Sequence, residues 1–369
     1  MTSTQIRKPE KTRVVRRSEA ERYVLYTLVA LAGSVIVTRV YLEWTGYPQI
    51  GGGNLHIAHV LWGGLLLYIA ALLPLMFVGG RVLTWSAFLN GVGAGLFIDE
   101  VGKFITANND YFYPPAAPLI YAFFLLSVLV YLNLRRDKAA TPQADLVRAL
   151  AEFPELVQAR LTAAQRAEIL RNLQRAEQAA NPASAQLATQ LAHFVRQEHS
   201  AEPDSAQATI WQRMGLAVTQ NGQRMGRRVH RRLIMLLLGW NGVQAFLGLV
   251  VLIVVVVASA QPLQFLRESV INDQQLRDIS DWPWLLLHTL LQLAVGLIAL
   301  LAFYYFVRGR DASGVKTAML SLTISLTTVV LLTFYLNQFA AISTALMQFA
   351  FLLIINAYRN WYVDGANER

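Results

Sequence analysis

The sequence predicts an all-α, polytopic membrane protein with about eight transmembrane helices, four plus four, around a cytoplasmic helical insert. Three observations carry that expectation. Apolar residues make up 55% of the chain and gather in runs of about twenty, the length an α-helix needs to cross a bilayer. The runs come as two groups of four, divided by a polar stretch with amphipathic spacing. Lys and Arg collect in alternate connections, the asymmetry that sets orientation in membranes.

The expected spans are 22–43, 56–78, 82–106, 117–134, 233–259, 284–307, 315–336 and 339–358. The first reads as a retained anchor rather than a signal peptide, with Arg39 and Glu43 at its far end and no clean small-residue cleavage site behind it. The second sets His56, His59, Gly63, Ala70 and Pro74 on one face, and small residues mark where membrane helices approach closely. The third is Gly-rich, with Gly91, Gly93, Gly95 and Gly102, yet it carries Asp99, Glu100 and Lys103. The fourth follows Pro114-Pro115 and ends at Arg135-Arg136, and the fifth follows the basic run Arg224 to Arg232. The sixth opens on Trp282-Pro283-Trp284 with His288 and Gln292. The seventh is rich in Thr and Ser and ends at Asn337-Gln338, before the eighth.

These limits divide the chain into a basic tail (1–21), a first four-helix membrane domain (22–134), the insert (135–231), a second four-helix membrane domain (232–362) and a short tail (363–369). The basic residues of both tails, Arg81, the 135–138 run, the 224–232 cluster and Arg308, Arg310 and Lys316 all fall on one predicted side. The loops 45–55, 107–116 and 260–283 carry no net positive charge. Both termini are therefore expected in the cytoplasm of a bacterial-type inner membrane, with membrane lipids as partners. The net charge of +9 is mostly this bias, so no nucleic-acid partner is inferred. Zero cysteines exclude disulfides, thiol nucleophiles and Cys-ligated metals.

Within the insert, Pro154 suits the first turn of a helix after Phe153, Thr162 with Gln165 makes a capping box, and Asn181-Pro182 stops the helix that follows. Leu156, Leu161, Ile169, Leu170, Leu173, Leu187, Leu191, Phe194 and Val195 form a one-sided apolar pattern. It predicts a self-packed bundle, or a homo-oligomer or protein-partner surface through 143–220.

The chemistry is expected where charge meets hydrocarbon, because an ionised side chain inside a span costs several kcal/mol unless it is paired or used. At the rise of an α-helix, Lys103 lies roughly 5 Å and Glu100 roughly 9 Å inside the outer end of the third span. Lys103 can reach Asp99 at i, i+4 or Glu100 at i, i+3, but one ammonium cannot neutralise both acids. His59, Glu100 and Asp99 are the candidate catalytic residues, as base and acids. Lys103, Arg39 and Tyr111 are the candidates for charge balance and substrate binding. His56, His59 and Glu100 are the candidate ligands of a divalent metal.

The order His59 to Gly64 on one span and Gly95 to Glu100 on the next is similar in layout to VanZ-like bacterial membrane proteins, over a small part of the chain. The resemblance implies no activity. Three functions stay open: a membrane-embedded enzyme acting on lipid or envelope precursors, a proton- or ion-coupled transporter, and a structural or sensory scaffold with a buried ion-pair network.

Overall fold

The computed structural model describes residues 15–46, 58–111, 113–135, 141–157, 163–179, 181–197, 226–257 and 282–364. No strand occurs among them. Eight helical stretches are long and apolar enough to cross a membrane: Ala20–Thr45, His59–Met76, Gly80–Asp99, Ala116–Arg135, Arg227–Ile253, Pro283–Val307, Asp311–Leu336 and Gln338–Asp364. The chain forms two compact units, Met1–Phe97 with Ser127–Gln207, and Ile98–Leu126 with Ala208–Arg369.

The first unit holds α1 (Ala20–Thr45), α2 (His59–Met76) and all but the end of α3 (Gly80–Asp99). It is built on glycine. A Cβ at Gly95 would meet the Leu31 carbonyl of α1 at 2.9 Å, and one at Gly91 would strike the Thr27 carbonyl. On another side of α3, a Cβ at Gly93 would lie 2.8 Å from the Gly63 carbonyl of α2. The missing side chains let both neighbours approach backbone to backbone, which is how helices pack when apolar burial gives no advantage over lipid. Two hydroxyls complete the contacts: Thr27 donates to the Ala87 carbonyl at 3.0 Å and Ser86 to the Ala70 carbonyl at 2.7 Å.

The insert belongs to the same unit as α6 (Pro142–Ala151), α7 (Phe153–Val157), α8 (Ala163–Ala176) and α9 (Pro182–Gln197). Thr141 caps α6 by accepting from the Ala144 amide at 3.3 Å, with Pro142 at the first helical position. Asn181 accepts from the Ala183 amide at 3.1 Å, so Asn181-Pro182 also starts α9. Leu146, Ala149, Ile169, Leu173, Ala188 and Val195 form a closed core. The expected stripe is only partly buried, since Leu187 and Phe194 remain exposed, and Thr162 and Leu161 lie outside the described residues. Three contacts fasten the bundle to the membrane helices. Ser18 donates to Glu152 at 3.1 Å, Arg148 donates to the Arg16 carbonyl at 3.0 Å, and Glu155 accepts the Gly80 amide at 2.5 Å. Gly79, at φ +123°, makes the turn into α3, and a Cβ there would meet the Glu155 carboxylate at 2.8 Å.

The second unit contains α4 (Val101–Ile105), the first part of α5 (Ala116–Arg135), α10 (Arg227–Val257), α11 (Trp282–Val307), α12 (Asp311–Ile324), α13 (Val330–Leu336) and α14 (Gln338–Tyr358). Ile234, Leu238, Phe306, Val315, Phe351 and Ile355 form its core. The expected seventh span is not one regular helix. A π-turn, Ser325–Val329, separates α12 from α13, and a second, Arg359–Asp364, carries the last span beyond its expected end. At the first, the Thr328 hydroxyl donates to the Ile324 carbonyl at 2.7 Å and Tyr121 of α5 donates to the Leu326 carbonyl at 2.8 Å. Hydroxyls competing for main-chain carbonyls favour such a local change of winding. α10 begins six residues before the expected fifth span, because its Arg residues find partners within the fold.

Candidate functional site

The expected third span, 82–106, is interrupted at Glu100. α3 ends at Asp99, Glu100 takes φ −88° and ψ 9°, and the Lys103 amide bonds the Glu100 carbonyl at 3.0 Å to open α4. Downstream the chain folds back. Thr106 donates to the Gly102 carbonyl and accepts from the Asp110 amide, both at 2.8 Å, while Asn109 takes a left-handed φ of 55°. Gly102 permits the return, since a Cβ there would lie 2.8 Å from the Asp110 carbonyl and 3.0 Å from that of Tyr111.

This turn delivers Tyr111 to the acids. Its phenol donates to Asp99 Oδ2 at 2.5 Å, and Lys103 Nζ donates to Glu100 Oε1 at 2.9 Å. The same ammonium sits 5.4 Å from the centre of the Tyr111 ring, within cation–π range. Asp99 is 0% and Glu100 1% exposed. Of the two positions Lys103 can reach, the structure selects Glu100 and gives Asp99 a phenolic donor. Tyr111, expected as a substrate-binding residue, is thus engaged with a carboxylate. No local sequence pattern marks that bond, because it depends on the fold-back at Gly102.

The other candidates belong to the first unit. Arg39 is 5% exposed on α1, and His59 is the first residue of α2 and partly buried. His56 lies outside the described residues. Among the described residues no three His, Asp or Glu side chains group to hold a metal ion. His288, at the start of the sixth span, pairs with the Thr333 hydroxyl at 3.0 Å, and Trp284 packs 5.6 Å from the Tyr335 ring, both packing contacts of the second unit.

A second polar cluster gathers around Asp311 at the start of α12. Asp311, 7% exposed at the start of α12, receives Arg227 at 2.9 Å, Arg231 at 3.5 Å and the Tyr358 hydroxyl at 2.7 Å. Arg231 also donates to the Phe306 carbonyl at the end of α11. His230, 2% exposed, sits against the Ile354 carbonyl at 3.1 Å amid the rings of Tyr358, Trp361 and Tyr362. The basic run on α10 was legible only as a topological signal. Its i, i+4 pair Arg227 and Arg231, set against a lone acid beginning a later span, was the signal available for the network.

Comparison with protein-family models, curated proteins and solved structures gives no match.

Proposed function

We propose that the protein is an inner-membrane scaffold or sensor, with both termini and the insert in the cytoplasm, whose third span is held at both ends. At its first residue the span receives Glu155 of the insert, and at its last it carries the acid network. The observation that carries this reading is the enclosure of Asp99 and Glu100 at 0% and 1% exposure, each bonded to a donor from the same short segment. Carboxylates so engaged serve to fix a geometry. An enzyme acting on lipid would need them open to substrate, so this arrangement supports it less.

Transport is the second reading, favoured by the helix break at Glu100 and the π-turn at Ser325–Val329, since carriers place ionisable groups beside interrupted helices. One experiment separates the two. Wild type, Glu100→Gln and Lys103→Met are reconstituted in vesicles for proton-flux measurement, and their thermal stability is measured in parallel. A scaffold gives no flux above empty vesicles and a loss of stability in the variants. Flux that Glu100→Gln abolishes in a folded protein refutes the scaffold.

A further inference from the structure

Among the described residues, the basic end of the second unit holds more cations than carboxylates. Within 226–232, 308–316 and 359–364 there are eight Lys and Arg against two carboxylates. Both acids are occupied. Asp311 is shared by Arg227 and Arg231 and tied by Tyr358, and Asp364 lies 3.4 Å from Arg359. What remains faces outward: Arg228, Arg232, Arg308, Arg310 and Lys316 are all exposed.

These five are not spread along a loose tail. Arg228 and Arg232 stand one turn apart on α10, whose Arg231 holds the end of α11. Arg308 and Arg310 flank Gly309, which turns at φ +74° between α11 and α12, and their amides are bonded to Tyr304 and Tyr305 carbonyls at 3.0 and 2.9 Å. Arg308 lies 5.4 Å over the ring of Tyr304, itself 48% exposed. Cations fixed beside an exposed tyrosine at the end of apolar helices match the headgroup level of a bilayer, where rings rest in the interface and cations meet phosphate.

We propose that this end of the second unit binds the phosphates of anionic phospholipid headgroups through Arg228, Arg232, Arg308, Arg310 and Lys316. The Asp311 network is the frame that presents them: it engages Arg227 and Arg231 and, among the described residues, leaves these five cations facing outward. This inference rests on the membrane reading but not on the choice between scaffold and transporter.

The test uses the full chain in nanodiscs of phosphatidylcholine alone or with a phosphatidylglycerol fraction. Native mass spectrometry reads retained lipid and thermal unfolding reads the shift. Wild type is expected to retain phosphatidylglycerol over phosphatidylcholine and to unfold at higher temperature in its presence, with both effects weakened by salt. Arg228→Gln, Arg232→Gln, Arg308→Gln and Arg310→Gln together should weaken retention by two to three orders of magnitude, at about fivefold per cation, with stability in phosphatidylcholine unchanged. Equal retention of the two lipids by wild type overturns the proposal whether or not the variant folds. So does an equal stabilisation by millimolar inorganic phosphate in phosphatidylcholine, which assigns the cations to a soluble anion.

Discussion

Lys103 and Tyr111 differ in what each leaves behind when removed. Lys103→Met removes the ammonium paired with a carboxylate that is 1% exposed, and losing one partner of a buried pair costs about 3 kcal/mol. Tyr111→Phe removes a neutral donor from Asp99 and is expected to cost about 1–3 kcal/mol. Thermal or denaturant unfolding in detergent checks the order, and a larger loss for Tyr111→Phe would contradict the division of partners described above. Glu152 of the insert gives a pH test. Burial raises its carboxyl above the ordinary range, and nearby Glu19, Glu168 and Glu155 raise it further, against the opposing Ser18 hydrogen bond. The fold therefore binds this proton more tightly than the unfolded chain does. Stability is expected to fall as pH rises from the ordinary carboxyl pKa through the raised one. Glu152→Gln should exceed wild type in melting temperature at pH 8, and the gap should close on acidification. The acids were visible as charges in an apolar run, but the identity of the second donor was not, because Tyr111 reaches Asp99 through tertiary return of the chain.

Close approach decides the packing of the helices. Gly93→Leu would drive a side chain into main-chain atoms of α2, and Gly91→Leu into those of α1, each expected to cost at least about 1–3 kcal/mol by overpacking. Gly64→Leu is the control, since a Cβ there meets nothing within 4 Å. Melting temperatures of the three variants test the claim, and an equal loss at all three would argue against specific glycine contacts. The π-turn has its own test. Tyr121→Phe removes the donor to the Leu326 carbonyl and is expected to destabilise by about 1 kcal/mol, with faster hydrogen exchange around 325–330. Span positions were readable because hydrocarbon thickness demands long apolar runs. The interruptions at Glu100 and Ser325 were not, since each follows from hydrogen bonds to distant residues or competing hydroxyls rather than from a Pro.

At the scale of the whole molecule, the insert is a self-packed bundle secured to the membrane helices by a few polar contacts. Gly80 gives its amide to Glu155, so Glu155→Ala should raise exchange at the start of α3 and leave the Leu173 core protected. Loss of protection through the whole insert would show that the bundle depends on its docking. Asp311→Asn should release Arg227 and Arg231, and since Arg227 is 58% exposed the expected cost is only about 1 kcal/mol in thermal unfolding.

The fold-back at Gly102 also bears on biogenesis. Asp99 and Glu100 each meet a donor within the same short segment, Tyr111 and Lys103, so part of their charge is met by residues synthesised within moments of them. The third span is then expected to leave the translocation machinery before the second half of the chain exists. A force profile recorded during synthesis would register that release early, and delaying it by Tyr111→Phe would tie the assembly order of the membrane protein to one phenol.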